Sequence, residues 1–345
     1  MNPFLQNGYL QPIASLNRLP VTQTGETASA LCSAAAITTR IHTFLQEQSI
    51  PVDADWLYRF SACLDDPASP AHTCLDAIAF DVCRVPLTLK RVTPLDHPDW
   101  TDAHWAHWQT IRRLYLAGGM LGTPFGAALL TAMRRCLAEH GVADLKLELA
   151  PHPPIISVIG AARYASRFCD NALALDLGHT NIKCGALSKE TGGFTLHSYP
   201  IIPSREMQWD YGKLAAAEIL HEHITDVITG LFLQVAAEGR DPGKVVCCSI
   251  ANYVTADRFA ARAGFGKLNL LTDHYAAYLS DALYQRLGER LELHFIHDGT
   301  AGAYATQTAD WEHEAFLGLG TTLSVGFAAP CFDVPFVYEV VRHTL

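Results

Sequence analysis

Residues 172–185 read ALALDLGHTNIKCG, and this stretch decides the fold class that we predict for the chain. The apolar run 172–175 predicts a strand that ends on Asp176, and residues 182–187 predict a second strand that returns beside it. Gly178 lets the connecting backbone pass close to an anion, because glycine has no side chain in the way. The sequence therefore predicts a strand–turn–strand unit whose turn has room for a phosphate group.

Polar residues in and beside this turn match the chemistry of a nucleotide phosphate site. Thr180 offers a hydroxyl and backbone N–H groups to phosphate oxygens, and Lys183 supplies a positive charge. Asp176 can hold Mg²⁺ directly or through water. The alternative is an ordinary hairpin whose turn happens to contain Gly, Thr and Asn, and the residues of this stretch alone leave both interpretations open.

The order D-x-G-x-T-x-x-K resembles the first phosphate motif of the actin-like ATPase superfamily, which includes sugar kinases, actin and the Hsp70 chaperones. This resemblance implies an α/β fold of two ribonuclease H-like lobes with an ATP cleft between them. It also implies that Asp176 binds Mg²⁺ and that ATP phosphates contact four residues of the turn and second strand, namely Gly178, Thr180, Asn181 and Lys183.

Composition bounds the class of protein and its partners. The 345 residues, 49% hydrophobic and 17% charged, predict a globular chain of about two domains. The net charge of −10, with no basic stripe, argues against a nucleic-acid partner. We expect no membrane span and no signal peptide. The 10 cysteines form no C-x-x-C pair, so we expect reduced thiols and a cytoplasmic location.

Predicted helices and strands interleave along the chain, which is typical of the α/β class. We predict helices at 25–49, 53–63, 71–80, 155–168, 214–237 and 275–288, and another that ends near 140. We predict further strands at 114–117, 144–149, 194–199, 245–250, 291–296, 314–319 and 323–328.

A second motif, LHFIHDGTAGAYA at 293–305, carries Asp298 to the end of a predicted strand. Ligands of α/β proteins lie at such strand ends, and a carboxylate there can take a proton from an attacking hydroxyl. The motif resembles the strand-end Asn-Asp of hexokinases and glucokinases, whose Asp is the catalytic base, although His297 stands where that family often has Asn. The alternative is that Asp298 caps the following helix, and both roles are compatible.

Two glycine-bearing turns resemble the other nucleotide motifs of the superfamily. In FLGLGTTLSVGF at 316–327, the backbone N–H groups of Gly320, Thr321 and Thr322 would cradle the β- and γ-phosphates. In LYLAGGMLGTPFGAALL at 114–130, Gly118 and Gly119 would leave room for adenosine. The alternatives are a plain hairpin turn and an ordinary strand-to-helix turn.

The order of these motifs predicts a circular permutation. In the superfamily the adenosine motif and a closing helix follow the second phosphate motif, whereas here the adenosine-like turn and GAARYA (160–165) precede the first. We expect the old termini to be fused near 167–171. The nucleotide lobe would then comprise 1–165 and 299–345, and residues 166–298 would carry the first phosphate motif and bind the acceptor. Residues 1 and 345 should lie on the same lobe.

Residues 200–275 should build the acceptor pocket, because they lie between the first phosphate motif and Asp298. The candidate acceptor-binding residues, each of which is alternatively a loop residue, are Arg205, Glu206, Asn252, Asn269 and Asp273. His104 and His107 offer a weaker possibility of a metal site, with aromatic packing as the alternative.

The sequence thus predicts an ATP- and Mg²⁺-dependent kinase that phosphorylates a hydroxyl of a sugar or similar small molecule, with Asp298 as general base. Two rivals stay open: a nucleotide-dependent ATPase or switch, and a non-catalytic descendant that binds a sugar or a partner protein. A homodimer also stays open.

Overall fold

A computed structural model of the chain describes residues 2–93, 95–205, 213–255, 258–260, 264–328 and 338–343. The helices are α1 (Ala28–Cys32), α2 (Ala34–Glu47), α3 (Trp56–Cys63), α4 (Ala71–Leu89), α5 (Asp102–Thr110), α6 (Pro124–Glu139), α7 (Ile156–Ala165), α8 (Leu214–Ala237), α9 (Tyr275–Leu287) and α10 (Asp298–Thr306). The strands are β1 (Leu5–Gln6), β2 (Tyr9–Leu10), β3 (Arg113–Ala117), β4 (Lys146–Leu149), β5 (Asn171–Leu177), β6 (Asn181–Glu190), β7 (Gly193–Ser198), β8 (Ile202–Pro203), β9 (Val245–Ile250), β10 (Val254–Thr255), β11 (Arg258–Phe259), β12 (Glu292–His297), β13 (Glu314–Leu319), β14 (Leu323–Gly326) and β15 (Tyr338–Arg342). The protein is a mixed α/β protein with mixed sheets.

Most predicted elements are confirmed, and 214–237, 245–250 and 314–319 have the predicted bounds. The single helix predicted over 25–49 is wrong. Ser33 is extended (φ −63°, ψ 156°) and separates α1 from α2, and its side chain accepts a hydrogen bond from Ala36 N–H. A serine hydroxyl that satisfies the free N–H groups of a new helix favours this break over one continuous helix.

The predicted end of the helix at residue 80 is also wrong, because α4 continues to Leu89 and contains Pro86. Its later turns bury Val82, Val85 and Leu89. Packing of this apolar face stabilises the helix although it contains a proline, a residue that disfavours helix interiors.

One sheet has the strand order β12-β9-β5-β6-β7-β15, with β8 paired to β6. Strands β5, β6 and β7 are antiparallel neighbours, whereas β9 pairs parallel with both β5 and β12. Alternate residues of β5, including Leu173, Leu175 and Leu177, pack into a buried core with apolar residues of α8 such as Ile224 and Ile228. Because side chains alternate along a strand, the register of these leucines also decides which face of the sheet carries Asp176.

A second sheet has the order β14-β13-β3-β4. Strand β3 pairs parallel with β13 and β4, and β13 forms an antiparallel hairpin with β14. This hairpin carries residues 320–322 in its turn, next to the strand that leads into Gly118.

The chain divides into two compact units. Unit 1 contains the described residues of Met1–Leu5, Ile13–Ile156 and Thr306–Ala328, and unit 2 contains those of Gln6–Pro12, Ser157–Ala305 and Ala329–Leu345. In this division most of α7 and α10 lies in unit 2, whereas the predicted lobes assign both helices to the nucleotide lobe. The circular permutation predicts that residues 1 and 345 lie on the same lobe. Both residues lie outside the described residues.

None of the helices that the structure describes combines the length and the apolar character needed to cross a lipid bilayer.

Candidate functional site

The hairpin of β5 and β6 places Lys183 directly opposite Asp176. The two residues are register partners, and Lys183 Nζ lies 2.8 Å from Asp176 Oδ2. Asp176 is 5% exposed, so its charge is largely removed from water. The pairing with lysine offsets that cost, and the antiparallel register of the predicted hairpin explains why these two residues meet.

Ser249 is a site residue that sequence reasoning missed. It is the register partner of Asp176 on β9, and its hydroxyl donates a hydrogen bond to Asp176 Oδ1 at 3.1 Å. Both carboxylate oxygens of Asp176 are therefore engaged. The sequence feature that could have identified Ser249 is a single polar residue near the end of VVCCSI, an otherwise apolar strand.

The turn between β5 and β6 is tight and leaves Thr180 exposed. Gly178 N–H donates to Asn181 O at 3.1 Å, and a Cβ added at Gly178 would lie 2.9 Å from that same oxygen. The N–H of Ser204 donates to Thr180 O at 2.9 Å and so supports the turn from outside. This geometry requires glycine at 178 and places the Thr180 side chain where a ligand can reach it.

Asp298 directly follows β12 and is the first residue of α10. Its Oδ1 accepts a hydrogen bond from the N–H of the next residue, Gly299, at 2.7 Å, which is not the bond to the second or third helical N–H that a helix cap makes. Burial, and then the negative charge of Asp176, raise the pKa of Asp298 to about 7, while Gly299 N–H and Lys183 oppose this rise. Asp176 and Lys183 therefore act electrostatically on Asp298.

The side chain of Asp298 nevertheless keeps 24% of its surface exposed. A small molecule can therefore reach the carboxylate, and its raised pKa suits a group that exchanges protons near neutral pH.

Three parallel strands bring the predicted residues of unit 2 to one edge of the sheet. Strands β5, β9 and β12 are neighbours, so Asp176, Asn252 and Asp298 all lie at or just beyond their carboxyl ends. Asn252 is buried, at 5% exposure, two residues after β9. Of the acceptor candidates, Asn252 is therefore placed at the same sheet edge as Asp298.

The other acceptor candidates have different surroundings. The side-chain amide of Asn269 donates to Phe259 O at 2.7 Å and accepts from Phe259 N–H at 3.3 Å, which braces β11. Asp273 is exposed and pairs with Arg258. Arg205 is exposed and has a positive φ of 56°, and Glu206 lies outside the described residues.

In unit 1 the glycine turn after β3 lies against the hairpin of β13 and β14. Gly118 has a φ of +141°, and a Cβ there would lie 2.2 Å from Leu319 O, so only glycine fits. Gly119 faces open space, since nothing lies within 4 Å of a Cβ placed on it. The adenosine-type turn and the second phosphate-type turn are therefore neighbours within this unit.

Hydrogen bonds from Ala34 and Asn17 support the turn at 320–322 and the residue that follows it. Gly320 O accepts a hydrogen bond from Ala34 N–H at the start of α2, at 2.8 Å. The side-chain amide of Asn17 donates to Leu323 O and accepts from Leu323 N–H, each at 2.8 Å. Thr321 and Thr322 are exposed.

The residues around Asp176 are compatible with a Mg²⁺ ion that contacts the protein through water. Among the described residues, no group of three or more His, Cys, Asp or Glu side chains could hold a metal ion. Asp176 offers hard carboxylate oxygens, which Mg²⁺ prefers, but Lys183 and Ser249 already contact both of them. Asp176 would therefore contact the ion most simply through water.

The histidines near the tryptophans serve packing. His104 Nδ1 accepts a hydrogen bond from Thr101 N–H at 3.0 Å at the start of α5. Burial lowers the pKa of His107 to about 4, and the His107 ring packs against Phe4 and Phe327. These contacts support the packing alternative over a metal site.

Replacing Lys183 with Met is expected to raise the pKa of Asp298 further, because the positive charge that opposes the rise is lost. The free energy of unfolding should fall by about 1–3 kcal/mol, since a buried carboxylate oxygen loses its partner. Carboxyl ¹³C NMR titration and urea denaturation measure the two effects.

Lys189→Met is the matched control, because Lys189 lies on the same strand and pairs with Asp170 in solvent. This control should change stability by no more than about 1 kcal/mol and leave the pKa of Asp298 unchanged. Equal effects of the two variants on Asp298 would contradict the electrostatic link.

No protein-family model matches the chain, and no match is found among curated proteins.

Proposed function

We propose that the protein is an ATP-dependent phosphotransferase that phosphorylates a hydroxyl of a small molecule, with a sugar as the first class to test. One observation carries this proposal: Asp298 lies at the end of β12, reachable from solvent, with its pKa raised to about 7 and with the charges of Asp176 and Lys183 acting on it. A carboxylate with such a pKa suits general-base chemistry at neutral pH.

In this mechanism Asp298 accepts the proton of the acceptor hydroxyl. The hydroxyl oxygen bonds to the γ-phosphorus of ATP while the bond from that phosphorus to the bridging oxygen breaks, and ADP leaves with the electron pair. Bound Mg²⁺ would offset negative charge on the phosphates. Catalysis of this kind rests on positioning and electrostatics more than on covalent chemistry with the protein.

Each unit offers its own contribution to nucleotide binding, with the turn at 118–119 proposed for adenosine and the other groups for the phosphates. Unit 2 supplies the ammonium of Lys183 and the exposed hydroxyl of Thr180, and Asp176 would orient the hydrated Mg²⁺. Unit 1 supplies the turn at 320–322 and the glycine turn at 118–119. Each set resembles a nucleotide-binding motif of the actin-like ATPases.

Strand order supports a two-lobed, circularly permuted actin-like fold as part of the proposal. In unit 2 the strand that carries Asp176 lies between an antiparallel hairpin partner and the parallel strands β9 and β12. In unit 1 the first strand of the second phosphate-type hairpin, β13, likewise lies between β14 and the parallel pair β3 and β4. The two units thus repeat one arrangement, although in unit 1 the parallel strands come first in the chain.

Calorimetric titration with ATP·Mg²⁺, followed by a coupled assay of ADP release over a panel of sugars and polyols, tests the function. Stimulation by one acceptor, abolished in Asp298→Asn, is the expected result. Turnover that no acceptor stimulates would favour the ATPase or switch instead. Absence of ATP binding would favour the non-catalytic descendant and overturn the proposal.

The pH dependence of kcat/KM should follow the protonation of Asp298. The base must be deprotonated to accept a proton, so the rate should rise about tenfold per pH unit below its pKa of about 7 and level off above it. Initial rates of ADP release at subsaturating acceptor, between about pH 5 and pH 9, measure this profile. A rate that does not change across neutral pH would contradict the base role.

A further inference from the structure

His297, the residue before Asp298, is buried with its ring held on two sides. The ring is stacked on Tyr253, with 4.3 Å between ring centroids and an angle of 11° between planes. Thr300 N–H donates a hydrogen bond to His297 Nδ1 at 3.3 Å. His297 Nε2 lies 3.1 Å from Asp298 Oδ1.

These contacts determine the tautomer of His297. A ring nitrogen that accepts a hydrogen bond carries no proton, so the proton of the neutral imidazole is on Nε2. Burial lowers the pKa of His297 to about 3, which keeps the ring neutral around pH 7. The protonated Nε2 of a neutral His297 therefore lies 3.1 Å from Oδ1 of Asp298 without adding a positive charge.

The two oxygens of Asp298 are consequently not equivalent. Oδ1 faces His297 Nε2 and accepts from Gly299 N–H at 2.7 Å. Within the described part of the chain, no hydrogen bond reaches Oδ2. The side chain as a whole is 24% exposed, and Oδ2 is the oxygen without a hydrogen bond among the described residues.

We infer that His297 is a positioning residue for the base: its Nε2–H and Gly299 N–H hold Oδ1 of Asp298, so that Oδ2 accepts the acceptor's proton. This inference rests on the proposed phosphotransfer function. The proton moves from the acceptor hydroxyl to Oδ2, while His297 keeps its own proton and acts as neither acid nor base.

Nitrogen-15 NMR of the full chain with labelled histidine tests the tautomer without turnover. The expected spectrum of His297 has a pyridine-type Nδ1 and a protonated Nε2, unchanged between about pH 8 and pH 5.5. A proton on Nδ1, or a charged ring in that range, overturns the inference. If wild-type protein shows the expected tautomer but no binding of ATP·Mg²⁺, the proposed function fails separately.

Variants at 297 test the positioning role. His297→Phe keeps a ring for Tyr253 to stack on but removes the donor, whereas His297→Gln places an amide N–H near the position of Nε2. We expect His297→Phe to lower kcat by up to about 100-fold with little change in the KM for ATP. It should also raise the pH at which kcat/KM reaches half of its maximum, which we call the pH midpoint. His297→Gln should restore most of the rate and the midpoint.

His294→Phe is the matched control, because His294 lies on the same strand and its Nε2 lies 2.9 Å from Glu292 rather than near Asp298. It should leave kcat and the pH midpoint unchanged. If His297→Phe matches wild type in both, or if His297→Gln is as impaired as His297→Phe, the positioning role is overturned.

Discussion

Replacing Asp298 with Asn is expected to lower kcat for phosphotransfer by about 10²- to 10⁴-fold, because an amide cannot accept the acceptor's proton. The side-chain oxygen of asparagine can still accept the hydrogen bond from Gly299 N–H, so the start of α10 should be retained. Binding of ATP·Mg²⁺ should remain within a few-fold of wild type. ADP release at saturating acceptor and calorimetric titration measure the two quantities.

Asp281→Asn is a matched control for this substitution, since Asp281 is exposed on α9 and pairs with Arg290 at 2.9 Å. It should leave kcat unchanged. If Asp298→Asn also turned over at the wild-type rate, Asp298 would not be the general base, and the base would have to be sought elsewhere.

Gly160→Ala is expected to lower the free energy of unfolding by about 1–3 kcal/mol or more, because α7 and α10 touch at this glycine. A Cβ at Gly160 would lie 1.8 Å from Ala301 O, and that atom belongs to backbone that cannot rotate away. Since α10 begins at Asp298, the displacement needed to fit a methyl group should also disturb the base.

Gly230→Ala makes the same chemical change in the middle of α8 with the opposite expected sign. Nothing lies within 4 Å of a Cβ placed there, so alanine should stabilise the helix by up to about 1 kcal/mol through its better helix propensity. Urea denaturation of both variants measures the difference. Equal effects at the two glycines would show that α7 and α10 do not approach each other as described.

Local patterns predicted much of the architecture. Apolar runs bounded by turn residues located strands such as β9 and β13, and continuous amphipathic spacing located α8, because these signals depend on neighbours in sequence. Tertiary contacts accompany both helix errors. The chain breaks at Ser33, where Ala34 N–H reaches Gly320 O from far along the sequence, and α4 extends past residue 80 because its later turns are buried.

The candidate site was predictable only where its residues are neighbours within one local hairpin. Asp176 and Lys183 lie on one predicted hairpin, so their meeting at 2.8 Å follows from local pairing. Ser249 and Tyr253 reach the site only through the parallel register of β9 with β5 and β12. No spacing within the chain specifies that register, so their roles could not be read from sequence.

The sequence by itself determined which residues stand close to the strand ends: Asp176, Asp298 and the glycines at 118, 178 and 320 stand where apolar runs stop, and those positions are local properties of the chain. Tertiary structure alone decided what those residues experience. Burial and the nearby charge of Asp176 raise the pKa of Asp298 to about 7, and a buried, neutral His297 lies 3.1 Å from its Oδ1. Both effects depend on which strands become neighbours and how much water they exclude, and distances through space set such electrostatics, not distances along the chain.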